Sequence, residues 1–177
     1  MRRFILTGTP GSGKTSILRR LEQEGFGVVG EAATDVIARE QAQGIAEPWT
    51  RPAFIDAIVN LQHWRERLAT LATADVQFHD RSAFCTAALA TFLGYQASAI
   101  LEQELARLAR DAIFQKRVFF ILNLGFVAPT EARRISFEEA LRFEHVHAET
   151  YRAFGFDLVP IDAASLEQRV EAIKRAL

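Results

Sequence analysis

Two hydrophobic periods take turns along this chain. Short apolar runs of strand length occupy residues 3–7, 27–30, 75–79, 117–122 and 156–161. Between them, apolar residues recur three and four positions apart, the period of a helix with one buried face. The first helical stretch runs from 14 to about 24 and stops at Gly25. The second covers about 32–43 and stops at Gly44, glycine being the usual residue just past a helix end. A long helix is predicted from near Thr50, with Pro52 in its first turn. Its apolar face is Ile55, Ile58, Val59, Leu61, Trp64, Leu68 and Leu71. Further helices are predicted at 83–92 and 99–115. Ser136 with Glu139, and Ser165 with Gln168, have capping-box spacing and open a helix to about 154 and the last helix. Alternating strands and helices predict an α/β protein with three layers, a parallel sheet covered by helices on both faces.

Length and composition agree with one such unit. The 177 residues are 49% hydrophobic, enough for a core and far above a disordered chain. No repeat, low-complexity tract or linker divides residues 1–177, so a single domain is expected. The net charge of -1 gives no general basic surface, and no nucleic-acid partner is expected. No apolar run is long enough to cross a bilayer, so no membrane association is expected either. The lone cysteine, Cys85, has no partner for an internal disulfide and lies in an apolar run, which fits a reducing, cytoplasmic setting and a buried, inert thiol.

The chemistry starts at the end of the first predicted strand. Gly8-Thr9-Pro10-Gly11-Ser12-Gly13-Lys14-Thr15 fits G-x-x-x-x-G-K-[ST] at every fixed position, between an apolar strand and an amphipathic helix. Glycines let such a loop curl so that its N–H groups converge on an anion, and the following helix adds its positive end. The expected nucleotide-binding residues are Gly8, Pro10, Gly11, Ser12, Gly13, Lys14, Thr15 and Ser16. Lys14 would meet the β- and γ-phosphates of ATP, and the Thr15 hydroxyl would meet Mg²⁺.

Other features narrow the class. The guanine signature Asn-Lys-x-Asp is absent, which argues against a GTPase switch. Asp80 closes the run Val76-Gln77-Phe78-His79, and Arg81 follows it where motor ATPases carry a second acid. An acid at that strand end can hold Mg²⁺ or take a proton. Glu31 follows the short second strand, where a carboxylate can orient or deprotonate an acceptor hydroxyl. Which of Asp80 and Glu31 is the base stays open from the sequence. Arg133 and Arg134, in Glu131-Ala132-Arg133-Arg134-Ile135-Ser136, can close over a triphosphate as part of a lid at about 125–140. His145 and His147 are two apart on a predicted helix, face different ways and do not suggest a shared metal site.

On these residues the sequence resembles the nucleoside and nucleotide kinase branch of P-loop proteins. Within that branch it is similar to the small AAA-28 group, related to the ribosylnicotinamide kinase domain of NadR. The resemblance implies a sheet of strand order 2-3-1-4-5, Glu31 as base and Arg81 at the acceptor or phosphates. It also implies Arg133 and Arg134 as lid arginines, and the loop Pro160-Ile161-Asp162-Ala163 near the adenine. The acceptor would bind among helices at about 31–72. The second helical domain and arginine finger of ring-forming AAA+ motors are missing, and the segment 43–53 matches no particular kinase. The expected function is a small-molecule kinase using ATP and Mg²⁺, with a nucleoside- or nucleotide-like phosphoryl acceptor. The alternative is a nucleotide-dependent regulatory ATPase acting through a protein partner. A homodimer is compatible with both.

Overall fold

The first strand, β1 (Arg2–Gly8), is the middle of the sheet, and its alternation sets the two hydrophobic layers. Phe4 and Leu6 point to one face and Ile5 to the other, as the two-residue period of a strand requires. In the computed structural model, which describes residues 1–124 and 136–177, the elements follow the expected alternation. After β1 come α1 (Lys14–Gln23), β2 (Gly27–Val29), α2 (Ala33–Ala42), a 3-10 turn (Pro48–Thr50), α3 (Ala53–Ala69) and β3 (Val76–Asp80). Then follow α4 (Ala83–Phe92), α5 (Ala99–Arg110), β4 (Arg117–Ile121), α6 (Phe137–Ala153), β5 (Asp157–Ile161) and α7 (Leu166–Arg175). The five strands are parallel, in the order β2-β3-β1-β4-β5. This is the expected order and a P-loop kinase fold. Residues 125–135, including Glu131, Arg133 and Arg134 and most of the expected lid, lie outside the described residues.

On one face, α1 and α7 pack on Phe4, Leu6, Phe78, Phe119 and Ile121 through Ile17, Leu18, Leu21, Val170 and Ile173. On the other, α3, α4, α5 and α6 pack on Ile5 and Val118. Both faces of the central strands are therefore buried, which accounts for the unbroken apolar run of β4. A third, smaller cluster joins α2 to α3 through Val36, Ile37, Phe54 and Ile58.

Three local expectations are corrected. The long helix starts at Ala53, with Pro52 at its N-cap and the preceding residues in the 3-10 turn. The helix expected over 99–115 ends at Arg110, because Ala112 takes φ 47° and turns Phe114 inward against His79. The face assigned to α3 is right only in its first half. Ile55, Ile58 and Val59 are buried, but Trp64 and Leu71 are 57% and 80% exposed while Glu66 is buried. Glu66 turns inward because it pairs with Arg3 of β1, and with Arg107 of α5 at 2.8 Å. Arg107 also holds Glu104 at 2.8 Å, and His63 meets Glu104 at 2.9 Å, so α3 and α5 are fixed to the sheet through charges.

Candidate active site

The carboxyl ends of β1, β2 and β3 meet in one place, and the phosphate loop caps it. Gly8 ends β1 at φ 134°, and a Cβ there would lie 2.1 Å from the carbonyl oxygen of Ile121 in the neighbouring strand. Only glycine fits that position. Gly11 and Gly13 take φ 83° and 84°, the left-handed turns that curl the loop into α1. No side chain caps α1 and no acid lies in its first turn, so its amino end keeps free N–H groups and its positive pole. Lys14 is buried and donates to the carbonyls of Gly8 (3.1 Å) and Thr9 (2.8 Å) and to Ser12 Oγ (3.4 Å). Burial lowers its pKa from 10.5 to about 8. Arg81 adds to the lowering, while Asp80, Glu31 and Cys85 oppose it. Ser12 is buried, whereas Thr15 and Ser16 are exposed on the first turn of α1. Pro10 and Gly11 lie at the loop's partly exposed tip.

Asp80 is the last residue of β3, beside Leu6 of β1. Its carboxylate is buried, and Oδ1 has no hydrogen-bond partner. Burial raises its pKa and the Glu31 charge adds to this, against Lys14 and Arg81. Arg81 follows at φ 70°, a left-handed conformation that costs a residue with a side chain about 1 kcal/mol or more. Its backbone N–H donates to Leu6 (3.0 Å), which holds the turn against β1. The turn swings the guanidinium inward. Nε donates to Glu31 Oε1 at 2.7 Å, and one terminal nitrogen lies 3.0 Å from Cys85 Sγ and 3.3 Å from His147 Nε2. Glu31 stands between β2 and α2, and its other oxygen accepts from Thr34 Oγ1 at 2.8 Å. Burial pushes the Glu31 pKa up, but Arg81 and Lys14 outweigh it and hold the group below the ordinary carboxylate range. The two carboxylates are thus driven apart, the pattern that divides roles between two acids in one site.

Helix α6 closes the site from the other side. His147 is fully buried, and its Nδ1–H donates to the Phe143 carbonyl at 3.1 Å, as within a helix. That leaves Nε2 as an acceptor for Arg81 and for the Cys85 thiol, which lies 2.8 Å away. Burial and the Arg81 charge hold the imidazole neutral, well below its usual pKa, and burial raises the thiol. Cys85 is therefore an inert donor, as its apolar run suggested. Tyr151 meets Ser82 at 3.2 Å, and Glu144 accepts from Thr9 Oγ1 of the phosphate loop at 3.3 Å. His145 faces away and pairs with Glu149 at 3.1 Å.

The structure thus brings Lys14, Glu31, Asp80 and Arg81 together as the sequence implied. Sequence reasoning missed His147 as the group behind Arg81, and Glu144 on the loop. Only the contact of α4 with α6 reveals the first, whereas the Ser136–Glu139 capping pattern did locate the helix that carries both. Beneath Asp80 and Arg81 lies a cavity of about 20 Å³, lined also by Gln62, Glu66, His79 and Ser82. It has room for about one water.

The donors at this site suit Mg²⁺. Thr15 and Asp80 offer oxygen only, and Asp80 Oδ1 is a buried acceptor with nothing to accept from. Among the described residues no group of three or more His, Cys, Asp or Glu forms a metal cage. Two ligands with phosphates and waters are the usual arrangement for Mg²⁺. Among the described residues no helix is long and apolar enough to cross a membrane.

Comparison with solved structures finds the same fold in a deoxyadenosine kinase and in NadR protein. Deoxyadenosine kinase from M. mycoides, solved with dCMP and dCDP, superposes with a TM-score of 0.67 at 13% identity, covering 98% of this chain and 97% of that one. NadR protein in complex with NR superposes with a TM-score of 0.69 at 18% identity. NadR with NAD and AMP-PNP gives the same score and identity. This chain is covered to 98% in both and spans about half of the NadR chain, 50% and 49%. Identities this low establish the fold alone. No curated protein matches the sequence. The sequence model of the AAA-28 family, described as an AAA domain, matches residues 3–169 and so nearly the whole chain, phosphate loop and strand-end acids included: the protein belongs to this family of P-loop proteins.

Proposed function

We propose that the protein is a kinase that transfers the γ-phosphoryl group of ATP to a hydroxyl of a small, nucleoside-like acceptor. One observation carries the reading: Lys14, Glu31, Asp80 and Arg81 form a single electrostatic cluster where three strand ends meet the phosphate loop. In this reading the loop N–H groups and Lys14 hold the β- and γ-phosphates. Thr15 and Asp80 would hold Mg²⁺, which neutralises charge on the phosphates. Glu31, kept ionised by Arg81 and standing nearer the surface, orients the acceptor hydroxyl and takes its proton at a carboxylate oxygen. Arg81 fixes that carboxylate and adds positive charge beside the transferring group. Arg133 and Arg134 would close over the phosphates as lid arginines. The acceptor enters between β2 and α3, where the cavity holds only about one water and must widen to admit it. The single buried, free thiol favours a reducing, cytoplasmic setting.

That small cavity is also the observation favouring the second reading, a regulatory ATPase with no small acceptor. The deciding experiment follows ATP consumption and product mass with nucleosides, nucleotides and small polyols, using wild type and Lys14→Ala. A phosphorylated acceptor that depends on Lys14 supports the kinase. Slow hydrolysis that no acceptor accelerates, with nucleotide-dependent binding of a protein, would overturn it.

A further inference from the structure

Arg169 lies on α7, outside the cluster of Lys14, Glu31, Asp80 and Arg81, and is 4% exposed. The other buried arginines among the described residues have carboxylates: Arg3 pairs with Glu66 and Arg81 with Glu31. Arg169 has no carboxylate among the described residues. One terminal nitrogen donates to the Leu122 carbonyl over 3.4 Å, and its Nε–H is buried without a partner. A charge buried this way is costly unless something compensates it.

Its position says what that is. A Cβ on Gly13 would stand 2.9 Å from the other terminal nitrogen, so the guanidinium lies against the phosphate loop, one residue before Lys14. The absent side chain of Gly13 is what admits it. Capping of α7 by Ser165 and Gln168 fixes the turn that carries Arg169, and Val170 and Ile173 anchor the helix in the core beside α1. The site is therefore built: a rigid helix, a buried guanidinium with an unused donor, and an anion-binding loop in contact with it.

We infer that Arg169 is a second nucleotide-holding cation, whose guanidinium takes up negative charge of the bound nucleotide's polyphosphate from the α7 side of the loop. The inference rests on the nucleotide-binding part of the proposed function and not on the acceptor or the transfer step.

The test uses the full chain with Arg169→Met and Arg169→Lys. Each is titrated with Mg·AMP-PNP and with inorganic tripolyphosphate, and thermal unfolding is followed without ligand. Arg169→Met weakens both ligands by about ten- to a hundredfold, the worth of charge-assisted hydrogen bonds, and Arg169→Lys recovers part of the loss. The ligand-free midpoint of the methionine variant stays level or rises, because an uncompensated buried charge has been removed. Unchanged affinity for both ligands overturns the assignment. So does a loss confined to AMP-PNP, which would mean contact with the base. A loss accompanied by a lowered ligand-free midpoint in both variants overturns it too, as it marks a structural strut. If the wild type binds neither ligand, the phosphate-loop reading fails instead.

Discussion

Nucleotide affinity should fall as the pH rises above about 8, and Lys14 is the reason. The buried ammonium sits beside Arg81, and its pKa is lowered from 10.5 to about 8. At about 1.4 kcal/mol per pH unit, holding that charge in the loop costs about 3 kcal/mol relative to water, working from 10.5 and about 8. A bound polyphosphate reverses the balance. Several negative charges within a few ångströms favour the protonated amine and return its pKa towards the ordinary value. Below about pH 8 the amine is already charged in the free protein, and affinity should not depend on its titration. Above it, binding must take up a proton. Affinity should then drop about tenfold per pH unit, reaching about tenfold at pH 9 relative to pH 7. The nucleotide contributes little to the slope, since a terminal phosphate loses its last proton near pH 6.

Calorimetry with a non-hydrolysable ATP analogue between pH 7 and 9.5, at fixed ionic strength and in buffers of different ionisation enthalpy, measures both the slope and the proton. Lys14→Arg keeps a charge that does not titrate and should give a flat profile. A level wild-type profile to pH 9.5, or an equal slope in Lys14→Arg, would refute the reasoning. The same shift has a second, opposite consequence for the free protein. The unfolded chain keeps this proton up to about pH 10.5 while the folded one releases it near 8, so the contribution of Lys14 to stability grows as pH rises between those values.

Four other outcomes follow from named contacts. Gly8→Ala drives a methyl group into the Ile121 carbonyl at 2.1 Å and strains φ 134°, so it should cost about 3 kcal/mol or more and lower Tm by roughly 10 °C, read by thermal unfolding. Glu31→Gln should lower kcat by about 10²- to 10⁴-fold and raise the acceptor KM, because Arg81 loses its carboxylate. Asp80→Asn should lower kcat while leaving nucleotide affinity in the absence of metal nearly unchanged; steady-state kinetics and a titration in chelator separate the two. Acid should destabilise the fold through two buried histidines: burial, with Arg3 adding, lowers His79 to about 3, and burial and Arg81 hold His147 well below 6.5. The unfolded chain protonates both as pH falls below 6.5, so His79 removes about 2 kcal/mol by pH 5 and His147 acts in the same direction, read from urea midpoints at pH 7.5 and 5, with His79→Gln removing the first contribution.

The phosphate loop was legible because its fixed glycines answer backbone demands, as Gly8 against Ile121 shows, while Lys14 and Thr15 supply the charge and hydroxyl that a triphosphate needs. The strand elements were legible from their period, and the strand order came from the family resemblance. What the pattern could not give was which residues a helix turns inward when the inward stripe becomes polar. On α3 the buried stripe begins at Ile55 and Val59 and continues through Gln62 to Glu66, at helical spacing. The apolar residues Trp64 and Leu68 fit a helix equally well, and only Arg3 and Arg107, far away in sequence, decide for Glu66. His147 was hidden in the same way. Its spacing from His145 separates their faces, but the contact of α6 with α4 chooses which one enters the site. Arg169 carried no sequence signal beyond lying in a capped helix.

Two charge networks meet at the small cavity lined by Glu66, Glu104, Asp80 and Arg81, and their difference is the strongest physical reason to read one of them as functional. The network of Arg3, Glu66, Arg107 and Glu104 is closed. Each guanidinium is matched to a carboxylate, and the groups tie α3 and α5 to the sheet. Such a network holds geometry and has little left to offer a ligand. The cluster of Lys14, Glu31, Asp80 and Arg81 is open. Lys14 donates to two carbonyls and a hydroxyl, with no carboxylate among its hydrogen-bond partners. Asp80 keeps a buried oxygen unpaired, and Arg81 sits in a strained turn at φ 70°. Buried charges of this kind contribute less to stability than well-packed apolar groups would. Their cost is offset when an anion meets Lys14 and a cation meets Asp80, and a magnesium–nucleotide complex brings both in one ligand.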